Sequence, residues 1–169
     1  KALTSPDTQE VAFYKLLAEY KERLYWHIRK IVIDHEDADD ALQNTFMKVF
    51  ENIYKFKGNS SIYTWMYKIA TNEALSLLGK KSKKMGISNE EWIEKQTAQL
   101  SSDVYFDGDA IQLKLQKAIA MLPEKQRLVF NMRYFEEMKY EKMSEILETS
   151  VGGLKASYHH AVKKIKNTI

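Results

Sequence analysis

The stretch YEKMSEILETSVGGLKASYHHAVKKI, residues 140–165, contains two helical hydrophobic patterns separated by a short polar turn. Met143, Ile146 and Leu147 form the apolar face of the first pattern. The residues at 149–150 are Thr and Ser, which are suited to cap the second helix. The inner face of the second helix comprises Val151, Leu154, Tyr158, Ala161 and Ile165. Two short helices joined in this way predict a helix-turn-helix.

The outer face of the second helix has residue types that suit contact with duplex DNA. It carries Lys155, Ser157, His159, His160, Lys163 and Lys164. Short polar groups can reach base edges in the major groove, and lysines can pair with phosphates. An ordinary helical hairpin has the same apolar spacing, so that alternative stays open. At the turn, Glu148 stands where glycine is common, and it is expected to need a positive φ or a reshaped turn.

No metal site, cofactor or catalytic centre is predicted. His159 and His160 are adjacent, so their side chains diverge by about a quarter turn or more on a helix and cannot easily face one ion. The acidic cluster at 34–40 lacks the glycine and the terminal glutamate of a calcium loop. Cysteine is absent, which removes disulfides, thiolate catalysis and the common zinc clusters. Glycine-rich phosphate loops and nucleophile elbows are also missing, so we expect a protein that is not an enzyme.

Three further helical patterns occupy the N-terminal half. Apolar residues recur at helical spacing from Thr8 to Val32 and again from Ala38 to Ile53. Residues 57–61 form a polar loop, after which Ser60 or Ser61 can cap a third helix. The buried stripe of that helix is expected to comprise Ile62, Trp65, Met66, Ile69, Ala70 and Leu77.

These patterns divide the chain into two helical domains. Gly79 and the lysines that follow it end the first domain, residues 1–81. Residues 82–110 lack sustained periodicity and predict a linker with a short helix around 90–99. Helical patterns resume in the second domain, residues 111–169, and no strand pattern competes. The expected fold class is therefore all-α, with two small helical domains joined by a flexible linker and a helix-turn-helix in the C-terminal domain.

Basic charge is concentrated in two separate zones. From Lys48 to Lys84 there are 8 basic and 2 acidic side chains, and residues 111–169 hold 11 basic and 6 acidic side chains. Residues 81–110 hold 4 basic and 6 acidic side chains. Two basic zones point to a polyanion that contacts the chain twice, although a lysine-rich helix face can also be simply solvated.

The composition also sets expectations about location. Hydrophobic residues make up 44% of the 169 residues, which is enough to build a core. No apolar run reaches the length that spans a bilayer, and no secretory signal is visible. The lack of cysteine fits a reducing compartment. We therefore expect a cytoplasmic protein without membrane insertion.

Two segments carry motifs in a characteristic order. The first is DADDALQNTFMKVFENIYKFKGNSSIYTWMYKIATNEALSLL, and the second is LQKAIAMLPEKQRLVFNMRYFEEMKYEKMSEILETSVGGLKASYHHAVKKI. They resemble regions 2 and 4 of bacterial RNA polymerase sigma factors of the extracytoplasmic-function (ECF) group. The matching positions in region 2 are Asp40, Gln43, Phe46, Phe56, Gly58, Ser60, Thr64, Trp65, Tyr67, Ile69, Ala70 and Asn72. Those in region 4 are Leu122, Pro123, Arg133, Tyr140, Ile146, Leu147, Val151, Gly152 and Lys155.

The resemblance implies a transcription initiation factor that binds core RNA polymerase and directs it to promoters. The N-terminal domain would read and melt the minus-ten element, with one base flipped into a pocket formed by the loop before the third helix. The implied contacts are Phe56, Lys57, Asn59, Ser60, Tyr63, Lys68 and Asn72. Aromatic faces stack on unpaired bases, at about 1–3 kcal/mol per base, and an amide can read a base edge. Trp65, on the predicted apolar stripe, is interpreted as a core residue.

The C-terminal domain would read the minus-thirty-five element through its helix-turn-helix. The implied contacts there are Arg133, Lys155, Ser157, His159, His160 and Lys163. The second helix, with Asp40, Gln43 and Asn44, would bind the clamp helices of the largest polymerase subunit. The implied partners are therefore core polymerase and promoter DNA, both duplex and single-stranded. An anti-sigma factor is a further candidate partner.

Some features separate this interpretation from its alternatives. Gly153, Ala156 and Ser157 stand where the family often has Thr, Ser and Arg, so the minus-thirty-five preference of better-known members cannot be transferred. A stand-alone helix-turn-helix regulator would have no use for the residues at 56–72. A purely structural adaptor would show no salt-sensitive binding to nucleic acid. Since a flexible linker does not fix the distance between the domains, we expect the free chain to bind promoter DNA weakly.

Overall fold

The computed structural model describes residues 9–100 and 109–169, and within them the chain forms eight α-helices and one 3-10 turn. The helices are α1 (Gln9–Val32), α2 (His35–Asn52), α3 (Ile62–Met85), α4 (Asn89–Thr97), α5 (Ala110–Ala120), α6 (Glu124–Tyr134), α7 (Tyr140–Leu147) and α8 (Val151–Thr168), and the turn is Ile53–Lys55. These ranges contain no strand, so the all-α prediction is confirmed. Helices α1–α3 form the N-terminal lobe, and α5–α8 form the C-terminal lobe.

Capping residues define where the helices of the N-terminal lobe begin. The side chain of Asp34 accepts a hydrogen bond of 3.0 Å from the N–H of Asp37 at the start of α2. Ser61, one of the two predicted caps, accepts a hydrogen bond of 3.1 Å from the N–H of Thr64 at the start of α3. Between α1 and α2, Ile33 has a φ of +71°, a conformation that β-branched residues rarely adopt. The chain can therefore turn between α1 and α2 within two residues.

The third helix extends beyond residue 81, the expected end of the first domain, and buries a different stripe from the one predicted. It continues past Gly79 to Met85, where Gly86 ends it with a φ of +69°. Its buried residues are Thr64, Met66, Tyr67, Ala70, Thr71, Ala74, Leu78 and Ser82. Of the predicted stripe, Ile62, Trp65, Ile69 and Leu77 are only half-buried. The buried stripe is rotated toward Tyr67 because α1 packs on that side.

The predicted linker is partly helical. Helix α4 agrees with the short helix expected around 90–99, and it packs against both α3 and α5. Ile93 of α4 is buried in a small cluster with Leu78 and Ala120. Residues 101–108 of the linker lie outside the described residues. The described part of the linker therefore contacts both lobes.

Helices α7 and α8 form the predicted helix-turn-helix. Met143, Ile146 and Leu154 are buried between them and the rest of the lobe. Ser150 caps α8 by accepting a hydrogen bond of 3.1 Å from the N–H of Gly153. Glu148, the turn residue, has a φ of +53° and a ψ of +42°, so the expected positive φ is confirmed.

The two lobes share one hydrophobic core. It contains Leu24, Ile28, Met66 and Tyr67 from the N-terminal lobe and Leu128, Val129, Met132, Met138, Met143, Ile146 and Leu154 from the C-terminal lobe. Helix α7 packs along α3, and α6 contacts α1. No pattern in the sequence indicated this contact, because each lobe alone accounts for its own apolar periodicity.

Candidate nucleic-acid interface

The loop before α3 holds two polar side chains in solvent. Its predicted DNA contacts are Phe56, Lys57, Asn59 and Ser60. Lys57 and Asn59 are exposed, and Phe56 and Ser60 are half-buried. Gly58, between the two exposed residues, has a φ of +77°, which turns the chain. The ring centroid of Phe56 lies 5.5 Å from that of Trp65. The loop is therefore anchored on α3 and presents an amine and an amide outward.

Tyr63 is less exposed than its place off the predicted stripe suggested. Its ring centroid lies 4.3 Å from that of Tyr67 and 5.5 Å from that of Tyr20. The guanidinium of Arg23 lies 4.4 Å from the ring centroid of Tyr63 and donates a hydrogen bond of 2.9 Å to its hydroxyl. Burial raises the pKa of Tyr63. Tyr63 therefore contributes to the packing of α1 against α3, and only part of its ring is available to a ligand.

Lys68 and Asn72 lie one turn apart on α3, about half a turn around the helix from Tyr63. Asn72 is exposed, and Lys68 is half-buried. The ammonium of Lys68 donates a hydrogen bond of 2.6 Å to the carboxylate of Glu148 in the C-terminal lobe. Lys68 and Asn72 also line a cavity of 280 Å³ together with Leu147 and other residues of that lobe. The C-terminal lobe thus borders two of the predicted minus-ten contacts.

The outer face of α8 is free to contact a ligand. Lys155, His159, His160 and Lys163 are exposed, and Ser157 is half-buried. Arg133 does not belong to this face, because it lies on α6. Its guanidinium donates a hydrogen bond of 3.0 Å to the carbonyl of Met138 and lies 4.7 Å from the ring centroid of Tyr140. Arg133 therefore packs within the lobe. Lys155, His159, His160 and Lys163 lie on the exposed side of α8, whereas Ser157 lies about 160° around the helix from Lys155.

The described residues were compared with the requirements of a metal site and of a membrane span. The two adjacent histidines of α8, His159 and His160, have ring centroids 5.9 Å apart. In residues 9–100 and 109–169, no three His, Cys, Asp or Glu side chains form a group that could hold a metal ion. None of the helices described is both long enough and apolar enough to cross a membrane.

The predicted polymerase contacts lie beside an apolar groove. Asp40, Gln43 and Asn44 are exposed on α2. Gln43 also lines a groove of 640 Å³ between α1 and α2, together with Tyr14 and Met47, each of which is 60% exposed. Exposed apolar area rimmed by polar residues is typical of protein-binding surfaces. The geometry therefore agrees with a protein partner on this side of the N-terminal lobe.

Sequence reasoning missed a buried polar contact between the lobes. His27 of α1 is 3% exposed, and its Nε2 lies 2.7 Å from the hydroxyl oxygen of Thr71. Its Nδ1 lies 3.2 Å from one carboxylate oxygen of Glu136, which follows α6 in the C-terminal lobe. The hydroxyl of Tyr67 donates a hydrogen bond of 3.4 Å to the other oxygen. One signal in the sequence could have indicated a shared polar side of α1. Arg23, His27 and Lys30 recur there at spacings of four and three residues.

Arg127 provides a second buried polar contact between the lobes. It is 3% exposed, and its Nη1 donates a hydrogen bond of 3.4 Å to the carbonyl of Ile31 near the end of α1. Burial lowers the pKa of Arg127 to about 10. Carbonyls at a helix C-terminus carry partial negative charge, so a guanidinium there stabilises the docking of α6 on α1.

A helix-turn-helix lobe joined to a helical lobe with a basic, aromatic loop defines a DNA-binding protein. The family profile Sigma-70 region 2 matches residues 16–84, and the profile Sigma-70 region 4 matches residues 112–165. The chain belongs to the sigma-70 family, in the ECF group of RNA polymerase sigma factors. It is a transcription initiation factor that directs core RNA polymerase to promoters. Proteins of this family are initiation factors rather than catalysts.

Similar proteins cover nearly the whole chain. The RNA polymerase sigma-H factor of Pseudomonas aeruginosa is 28% identical over 166 residues, which cover 94% of this chain and 86% of that protein. The ECF RNA polymerase sigma factor SigW of Bacillus subtilis is 26% identical, with 94% and 89% covered. Among solved structures, RpoE of Bartonella quintana in complex with the anti-sigma factor NepR has a TM-score of 0.71 at 19% identity, covering 93% of this chain and 96% of that chain. CnrH in complex with the cytosolic domain of CnrY has a TM-score of 0.68 at 18% identity, with 94% and 87% covered.

Proposed function

We propose that the N-terminal lobe reads and melts the minus-ten element. The observation that carries this proposal is the anchored loop at 56–61, which presents Lys57 and Asn59 next to the aromatic rings at the start of α3. Unpaired bases stack on aromatic faces, and amides read base edges. The proposed contacts remain Phe56, Lys57, Asn59, Ser60, Tyr63, Lys68 and Asn72.

The C-terminal lobe reads the minus-thirty-five element in this proposal. Helix α8 would enter the major groove, with Lys155 near its N-terminus at the bases and Lys163 two turns further along at phosphates. The remaining proposed contacts are Ser157, His159, His160 and Arg133. For Arg133 this requires its present contact with the Met138 carbonyl to be exchanged for one with DNA.

The polymerase contact is assigned to α2. Asp40, Gln43 and Asn44 are exposed together and adjoin the apolar groove between α1 and α2. One similar solved structure is a complex of a sigma factor with the anti-sigma factor NepR, which supports an anti-sigma factor as a further partner of this chain. A protein that acts on polymerase and promoter DNA works in the cytoplasm.

The arrangement of the lobes adds a condition to this function. Helix α7 packs along α3, and Glu148 pairs with Lys68 beside Asn72. A separated DNA strand therefore cannot lie along this side of α3 until the lobes move apart. This agrees with the expectation that the free chain binds promoter DNA weakly.

Run-off transcription with core polymerase on a promoter library tests the proposed function. With one responsive promoter in hand, Asn72→Ala should reduce the permanganate reactivity of unpaired thymines by about tenfold, since a lost base contact is worth about 1–3 kcal/mol. Ser76→Ala, an exposed position one turn further along α3, is the matched control and should behave as the wild type. Normal opening with Asn72→Ala would remove Asn72 from the minus-ten site.

If promoter duplex is bound tightly by the free chain and core polymerase adds nothing, the stand-alone regulator is the better interpretation.

A further inference from the structure

The side of the N-terminal lobe that holds the apolar groove, here called the α1–α2 face, concentrates exposed apolar side chains. Of the twelve large apolar side chains that are exposed in residues 9–100 and 109–169, five lie in two rows on this face: Val11 and Tyr14 on α1, and Met47, Phe50 and Tyr54 on α2 and the turn after it. The ring centroids of Phe13 and Phe50 are 5.1 Å apart, so the rows meet across the groove. Apolar side chains concentrated in this way mark an interaction surface.

The groove has different charges at its two ends. Because α1 and α2 run antiparallel, Glu10 and Glu51 lie at one end, and Lys21 and Gln43 lie at the other. All four side chains are exposed. Within the part of the chain that the structure describes, Glu10, Lys21 and Glu51 have no ion-pair partner. Both ends of the groove are therefore available to a partner with the matching pattern of charge.

A second copy of the same chain has that pattern. If two of these helical hairpins face each other about a twofold axis that is perpendicular to their helices, each helix lies antiparallel to its own counterpart. Positions at equal distances on either side of the axis then become neighbours. On α1, one register places Glu10 opposite Lys21 of the second copy, and the same register places Tyr14 opposite Leu17 of the second copy.

Helix α2 fits the same symmetry. Gln43 and Glu51 lie four positions on either side of Met47. With Met47 at the axis, the amide of Gln43 opposes the carboxylate of Glu51 in the second copy, to which it can donate a hydrogen bond. Each polar contact therefore forms twice, and the two Met47 side chains meet at the centre.

The two grooves together would form the interior of a four-helix bundle. The exposed rings and methionines of each copy would enter the groove of the other, which removes apolar surface from water on both sides. About three turns of each helix take part, so the interface is at the lower end of specific interfaces, about 1,200 Å² in total. We therefore expect a weak dimer that depends on concentration.

We propose that the α1–α2 face pairs two copies of the free chain into a twofold-symmetric four-helix bundle, in which Glu10 of each copy pairs with Lys21 of the other. The dimer itself does not depend on the proposed function, but its consequence rests on it. Gln43 belongs both to this face and to the proposed polymerase contact. A chain paired with a second copy therefore cannot bind polymerase, and the two complexes exclude each other.

The first experiment is sedimentation equilibrium of the free, full chain over a range of about 1–500 μM, in which a weak interface of this size should change from monomer to dimer. Lys21→Glu and Glu10→Lys should each weaken the dimer about tenfold or more, because each opposes like charges twice. The double variant Glu10→Lys with Lys21→Glu restores both pairs and should dimerise as the wild type does. The matched control is Lys15→Glu, which makes the same change of charge about a third of a turn around α1 from Lys21 and should alter the dissociation constant less than about twofold.

The second experiment tests the apolar centre of the face. Met47→Lys would place two ammonium groups against each other at the axis, so the dimer should be lost over the whole concentration range. The matched control is Met85→Lys, at an exposed methionine outside this face, which should dimerise as the wild type does. Circular dichroism verifies that each variant is folded.

The third experiment tests the consequence for polymerase. Native mass spectrometry of the complex between the chain and core polymerase should show one copy of the chain, even when the chain is added at concentrations that give the dimer. A complex that carries two copies would show that the two partners do not share this face.

The remaining outcomes also decide the proposal. A monomer at every concentration overturns it. A dimer that withstands both Lys21→Glu and Met47→Lys lies on another face, and a double charge reversal that fails to restore the dimer excludes the antiparallel register. If the wild-type chain yields no transcripts with core polymerase, the proposed function fails, and sedimentation of the free chain still decides whether the dimer forms.

Discussion

A single turn residue, Glu148, has the conformation that the sequence predicts. It lies in the left-handed region because the two helices of the helix-turn-helix need a residue of positive φ between them. The position therefore combines backbone strain with an exposed pair to Lys68. Solvent screens an exposed ion pair, so the pair offsets the strain only in part.

The two contributions can be separated by comparing substitutions at that position. Glu148→Gly and Glu148→Ala both remove the pair with Lys68, but only glycine relieves the left-handed strain. We expect the glycine variant to be more stable than the alanine variant by about 1 kcal/mol, measured by urea unfolding. The control is Glu145, exposed within α7, where the order should reverse by about 1 kcal/mol because glycine is a poor helix former. Equal stability of both variants at Glu148 would show that the turn relaxes without glycine.

Other residues were beyond prediction for a physical reason. Tyr67 is nearly fully buried, whereas Trp65 is half-buried, the reverse of the predicted order. Tyrosine has both an apolar ring and a polar hydroxyl, so periodicity alone does not show which way it faces. Glu136 was equally hidden, because a carboxylate is expected at the surface unless its buried partners are known.

At the scale of helices, the boundaries follow their capping residues. Asp34, Ser61 and Ser150 each cap the helix that follows, and Ser61 and Ser150 were among the caps predicted from local sequence. Helix α3 runs to Met85, beyond residue 81, where the first domain was expected to end. An isolated glycine is tolerated within a helix, and the stop came at Gly86, where the backbone requires a positive φ.

Helix α8 allows base contacts and phosphate contacts to be distinguished. Lys155→Ala should change the preferred minus-thirty-five sequence, because its ammonium lies on the first turns of the recognition helix. Lys163→Ala should weaken binding to all sequences alike and reduce the salt slope by about 1. Selection from a randomised element with the polymerase complex measures both effects. If Lys163→Ala shifts the preferred sequence and Lys155→Ala does not, α8 lies in the groove in a different orientation.

At the scale of the whole molecule, the dominant feature is the closed arrangement of two lobes. The fold class, the helix-turn-helix and the short helix in the linker were all predictable from local patterns. The contact between the lobes was not, because it depends on shape complementarity and on buried polar pairs far apart in sequence. His27 and Glu136 are separated by 109 positions, and neither has a local signature.

Closure should depend on pH through Glu136. The pKa of this carboxyl is held below its ordinary value of 4.5 in the closed chain, so its contribution is complete above that value and is lost as the pH falls through the lowered pKa. We expect the radius of gyration from small-angle scattering to stay constant from pH 7 to about 5 and to rise in more acidic solution. Glu136→Gln should show a larger radius at all these pH values and little change with acid.

Two observations would contradict this prediction. One is a radius of the wild-type chain that increases between pH 7 and 5, which would assign closure to a group other than a carboxyl. The other is a Glu136→Gln variant that stays as closed as the wild type at pH 7. Far-UV circular dichroism at each pH separates opening of the lobes from loss of the helices.

The shared core also determines how long an opened chain can survive on its own. Four buried methionines lie at or near the junction of the lobes: Met66, Met132, Met138 and Met143. Separation of the lobes exposes part of this apolar surface to water. Exposed apolar surface favours aggregation and attack by proteases. A molecule released from polymerase therefore either recloses quickly or is removed from circulation. The methionines that stabilise the closed chain are therefore expected to limit how long the opened chain persists on its own.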